Sequence, residues 1–177
     1  LDNGMGLTFN ISSYGTGHLT DVFIDTGIGT LGLGDGQDSA VDKMDGSPAI
    51  NSLNAYGPAL GGDHNDGDAS SGASVMYTTP SLNGWTVKVS RGMETAALDP
   101  VMSYAASGSV MGVGVAAGVS SISNKASADT DPSFMTASYS IGGMNLGYAS
   151  YDNDNGSEET QIGVSTSMMG MTVGVAF

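Results

Sequence analysis

Apolar side chains recur at every second position in short segments divided by breaks rich in Gly, Asn and Asp. Ile162, Val164 and Met168 alternate with Gln161, Gly163, Ser165 and Ser167, and Met171, Val173, Val175 and Phe177 alternate with Thr172, Gly174 and Ala176. Upstream, Met135, Ala137, Tyr139 and Ile141 oppose Thr136, Ser138 and Ser140, and Met144, Leu146 and Tyr148 oppose Asn145, Gly147 and Ala149. A period of two sends successive side chains to opposite faces of a β-strand. The same criterion predicts strands over 5–12, 74–78, 85–90 and 110–119, shorter ones over 20–25 and 28–34, and a weaker one over 101–106. The result is an all-β fold of about eleven strands.

The connections are of two kinds. Some are tight and nearly uncharged: Pro80-Ser81-Leu82-Asn83-Gly84, Gly142-Gly143 and Met169-Gly170. Others are longer, polar and acidic, over 92–100, 121–132 and 152–159. An antiparallel transmembrane β-barrel sorts its connections this way, with short periplasmic turns on one rim and long extracellular loops on the other. The faces agree with that reading. The polar face carries Ser, Thr, Gly, Asn and Gln where the exposed face of a soluble sheet carries Lys and Glu. Tyr77, Trp85 and Tyr139 lie within a few residues of the short turns, where an interfacial aromatic girdle would place them; the plainer alternative is ordinary strand aromatics.

Composition narrows the choice. Charged residues make up 12% of the 177 positions, against roughly 25% in soluble domains. Mean hydropathy is near zero, and no apolar run approaches the ~18 residues of a membrane helix. The 28 Gly with abundant Ser would also suit a flexible linker, but the regularly spaced apolar residues argue against one. Eighteen acids against Lys43, Lys88, Arg91 and Lys125 give a net charge of −14, which disfavours nucleic acid as a partner. Apart from Asp21 and Asp25, the acids fall in predicted loops or turns. The chain opens on Leu without a signal peptide, as a processed form or a piece of a longer protein would.

One segment breaks the rhythm. Residues 35–71 show no sustained alternation, yet Ser47 as N-cap, Pro48 at the first position, Ile50 and Leu53 on one face and Gly57 as a stop predict a short helix. A loop that folds back to pack inside a barrel needs such a helix; a free linker does not. Asp63, Asn65, Asp66 and Asp68, and likewise Asp152, Asp154, Glu158 and Glu159, are oxygen-rich clusters of the kind Ca²⁺ takes. Neither completes an EF-hand or a nonapeptide repeat, and solvated acids are the alternative. His18 and His64 are far apart and offer no metal pair or catalytic dyad, so no enzyme is expected and no cofactor is required. The eleven Met fall mostly on the apolar strand faces, where packing or lipid contact explains them.

Three stretches resemble Gram-negative general porins of the alphaproteobacterial type: 1–9 (LDNGMGLTF), 21–42 (DVFIDTGIGTLGLGDGQDSAVD) and 73–89 (ASVMYTTPSLNGWTVKV), supported by the hairpin from Tyr139 to Tyr148. The resemblance implies a homotrimer of 16-stranded barrels in the outer membrane, in contact with its lipid and lipopolysaccharide and passing ions and small hydrophilic solutes by diffusion. It implies that 1–177 is one partial barrel with 35–71 as its inward-folded constriction loop. Asp35, Asp38, Asp42 and Asp45 would form the acidic side of the constriction, with Lys88 on the lumen wall and Arg91 toward the rim. So few bases imply cation preference, or a basic wall supplied by further strands. In the family the constriction loop follows the fifth strand and here the third, so two strands are expected upstream and three downstream, and Phe177 reads as a cut edge. The rival readings are a non-porin outer-membrane barrel and a secreted Gly/Asp-rich structural β protein.

Overall fold

The computed structural model describes residues 6–12, 18–34, 40, 74–93, 99–123, 125, 128–152, 154, 156, 158–168 and 171–176. Eleven strands form one antiparallel sheet whose spatial order is the chain order. They are β1 (Gly6–Ser12), β2 (His18–Asp25), β3 (Thr30–Gly34), β4 (Ser74–Thr78), β5 (Thr86–Gly92), β6 (Met102–Val110), β7 (Val113–Ser121), β8 (Ser133–Ile141), β9 (Met144–Asp152), β10 (Glu158–Met168) and β11 (Met171–Ala176). Strands β6 to β9 have nine residues each and β10 has eleven, the length that tilted strands need to cross a bilayer. Among the described residues no pairing joins β1 to β11, and none forms a helix.

Register holds one face of the sheet apolar from end to end. Val89, Tyr104 and Val119 share a row across β5, β6 and β7, and Tyr139, Leu146 and Val164 share one across β8, β9 and β10. These residues are half-exposed or exposed, as are Met135, Ile162, Val173 and Val175. The opposite face is mostly small and polar, with Met76, Phe134 and Tyr151 among its larger residues, and it is the buried one: Ser74, Ser90, Ser103, Ser120, Thr136, Gln161 and Ser165 are all at most 5% exposed. A water-soluble sheet has the reverse arrangement. Apolar outside and polar inside is the pattern of a sheet whose outer solvent is hydrocarbon.

The tight turns are built alike. Asn83-Gly84, Met111-Gly112 and Gly142-Gly143 all have positive φ at both central positions, the type I′ geometry whose twist matches an antiparallel pair. Leu82 and Trp85 close the first of these with a reciprocal pair of backbone hydrogen bonds of 2.8 and 3.0 Å. On the same rim, Asp25 Oδ1 accepts from the Gly27 amide at 3.0 Å, and the Tyr77 hydroxyl donates to the Ile28 carbonyl at 2.6 Å, joining the β2–β3 turn to β4.

The predicted strand over 110–119 is corrected here. Val110 ends β6, Met111-Gly112 is a turn, and β7 begins at Val113. The apolar residues of β6 sit at even positions and those of β7 at odd ones, so alternation drawn through Met111 carries the phase of β7 back across a turn. The weak segment over 101–106 is the first part of a full strand. Its outward positions include Ala106 and Gly108, too small to register as apolar peaks, because the Trp85 indole lies over Gly108. The placing of nearly all acids in loops is also corrected: Asp152 ends β9, and Glu158 and Glu159 open β10. The predicted helix, and all but residue 40 of the 35–71 segment, lie outside the described residues.

A Cβ at Gly108 would collide with the Trp85 ring. Gly→Ala in an unstrained strand usually stabilises, but here overpacking reverses the sign. Gly108→Ala should lower stability by about 1–3 kcal/mol, measured by urea unfolding in lipid vesicles with Trp85 fluorescence as the probe.

Candidate functional site

Because most inner-face side chains are small, the inner wall is smooth enough for backbone and aromatic rings to approach it. Ser103 and Ser120 pair across β6 and β7 through a 2.8 Å hydroxyl–hydroxyl bond, with both residues fully buried. Phe134 and Tyr151 are cross-strand neighbours on β8 and β9, both buried. The Phe134 ring lies over Gly118 of β7, where a Cβ would clash with it. These two aromatics cluster with Ala105, Ala116, Ala149 and, from the long β3–β4 connection, Ala40.

Ala40 is the one described residue of that connection. It is fully buried, and its backbone N–H donates to Ser90 Oγ on β5 at 2.8 Å. The connection therefore turns onto the inner wall at this point. Lys88 stands two residues before Ser90 on the same face, registered between Thr78 of β4 and Ala105 of β6. Glu159 shares the inner face with Tyr151 and accepts from the side-chain amide of Gln161. Arg91 is in register with Val75 and Met102 on the apolar face, exposed at the long-loop end of β5.

The long-loop rim is tied sideways. Asp154 Oδ2 accepts from the Asp131 amide at 2.9 Å, linking the connections on either side of β8–β9. The Asp99 amide donates to the Ser123 carbonyl at 3.0 Å, and Lys125 lies 4.0 Å from the Asp99 carboxylate. That ion pair is solvent-exposed and adds little by itself. Among the described residues no group of three or more His, Cys, Asp or Glu converges as a metal site.

The residues singled out from sequence divide accordingly. Tyr77, Trp85 and Tyr139 occupy the short-turn ends of β4, β5 and β8 on the apolar face, so the fold brings these three to one rim. Asp35, Asp38, Asp42 and Asp45 lie outside the described residues, as do Asp63, Asn65, Asp66 and Asp68. Sequence reasoning missed the tie between Ala40 and Ser90 and the inner pair Phe134 and Tyr151. The only available signal for the pair was two aromatics standing in the polar phase of their strands.

A strand-built membrane wall, with its polar face inward and a long connection bonded to that face, is the architecture of a diffusion pore. The sequence matches the Gram-negative porin family over residues 1–177. The chain belongs to that family. The porin of Rhodopseudomonas blastica, solved as a triple mutant, is similar in structure, with a TM-score of 0.67 and 14% identity over 97% of this chain and 72% of that one. A second porin, refined at 1.8 Å, gives a TM-score of 0.65 and 18% identity over 99% of this chain and 71% of that one. None of the curated proteins matches the sequence. As an outer-membrane porin the chain forms a channel for passive diffusion, and family and fold alike point to a channel rather than an enzyme.

Removing the Ser90 hydroxyl would leave the buried Ala40 N–H without its acceptor, at a cost of about 1–3 kcal/mol. Ser90→Ala should therefore raise single-channel current noise at unchanged folding yield, measured in planar bilayers against the parent porin.

Proposed function

We propose that this porin is a water-filled pore of the outer membrane, narrowed by residues 35–71 and preferring cations. The observation that carries the reading is the bond from the Ala40 amide to Ser90 Oγ on the inner face of β5. Asp38 and Asp42 flank Ala40 in sequence, with Asp35 and Asp45 just beyond, and Lys88 shares the wall with Ser90. Acids on the loop opposite a base on the wall set a transverse field, and selectivity follows from width and lumen charge without a dedicated binding site.

Cation preference is supported by the charge of −14 and by two inner-face acids, Asp25 on β2 and Glu159 on β10, against one described inner base, Lys88 on β5. The permeants are ions and small hydrophilic solutes. The working unit is a homotrimer of 16-stranded barrels, with strands beyond the eleven described completing each wall. Tyr77, Trp85 and Tyr139 anchor the periplasmic interface as a girdle. No cofactor is needed; acids of the long loops share divalent cations such as Ca²⁺ with lipopolysaccharide.

Deleting 40–61 should widen the lumen and raise single-channel conductance; an unchanged conductance would reject the constriction assignment. In a KCl gradient across a planar bilayer, the reversal potential should take the sign of K⁺ over Cl⁻ permeation. The opposite sign would show that the loop acids do not set the field.

A further inference from the structure

The apolar face carries a furrow. Three hollows of about 270, 300 and 400 Å³ lie along it, and they run into one another. Ala137 and Tyr148 line both the first and the second, while Ala106 and Ala117 line both the second and the third. The furrow starts near the short-turn ends of β8 to β10, beside Tyr139 and Leu146, and runs diagonally to Val87, Tyr104 and Val119 on β5 to β7. From strand and residue spacings the centres of its two end hollows lie about 18 Å apart.

Its cause is in the sequence. The outward positions along this diagonal include Ala106, Ala117 and Ala137, while the flanks carry Trp85, Val115, Met135, Tyr148 and Ile162. The indole occupies the place a side chain on Gly108 would take and bounds the middle hollow on one side. The lining is almost wholly apolar, with Thr136 and Ser138 the polar residues in it, so water gains few hydrogen bonds there.

We propose that this furrow seats one acyl chain of a membrane lipid, retained longer than the surrounding lipid. The furrow is continuous with the apolar face that meets the bilayer, and it is elongated and narrow as an alkyl chain is. A second copy of the porin fits it poorly. The furrow spans six adjacent strands, an arc of about 24 Å on the outer wall of a barrel. Another barrel, convex in turn, would touch such a wall along a line, whereas a flexible chain follows it. The proposal stands on the membrane placement of the apolar face and is independent of the constriction loop.

Trp85 lines the middle hollow and is the single tryptophan of the sequence, so it reports on the occupant. The assembled porin is reconstituted into phosphatidylcholine vesicles with increasing mole fractions of lipid brominated along its acyl chains, which quenches tryptophan on contact. Ala117→Phe and Ala137→Leu each fill part of the furrow from a different strand, and single-channel conductance confirms that the variants are folded. Half-maximal quenching of the parent should fall at a mole fraction at least about threefold below that of either folded variant. Superimposable curves would show ordinary surrounding lipid and overturn the proposal. A parent Trp85 that no mole fraction quenches would also overturn it, by showing this face to be covered by another copy.

Discussion

Hydrocarbon offers no hydrogen bonds, so every peptide group that crosses it must find its partner inside the protein. The eleven-strand ladder is the answer to that requirement, and most other features of the chain follow from it. Strands paired in chain order need only short reversals on one rim, which is why type I′ turns recur there. The ladder also releases the side chains from holding the fold together. They are left to meet hydrocarbon on one face and to form a close-packed, mostly small and polar wall on the other.

That division explains why so small a set of residue types suffices. On the inner face, hydroxyls and glycines keep the wall low, so that Phe134 can lie over Gly118 and the chain at Ala40 can come close enough to bond Ser90. On the outer face, Gly108 makes room for the Trp85 ring. In both places a missing side chain on one strand is matched by a large one on its neighbour. The sheet is thus packed laterally, through complementary bulk on adjacent strands, in place of a conventional core between layers.

Strand order and face assignment were legible because a membrane wall enforces the two-residue period without interruption. Lys88 shows how far that carries: its phase alone indicates the small-polar face, and the register sets it beside Thr78 and Ala105. The reading weakened where outward residues are small, at Ala106 and Gly108, since their partner Trp85 sits on another strand. It failed at Met111-Gly112, because an apolar residue in a turn continues the alternation it should break. The contact of Ala40 with Ser90 was not legible at all. It joins positions 50 apart and depends on how the sheet curves back on the loop, and no local pattern encodes that. The glutamates that open β10 were likewise hidden, since acid at a strand end looks the same in sequence as acid in a loop.

The hydrogen bond from the Tyr77 hydroxyl to the Ile28 carbonyl has a temporal meaning as well as a spatial one. The carbonyl belongs to the β2–β3 turn, but its partner arrives 49 residues later in the chain, after the whole of the long connection. The β2–β3 hairpin can therefore form its own ladder early and still be unfinished at its tip. It is completed only when β4 is laid alongside. That stitch makes the completion of this one hairpin conditional on the strand that follows the long connection.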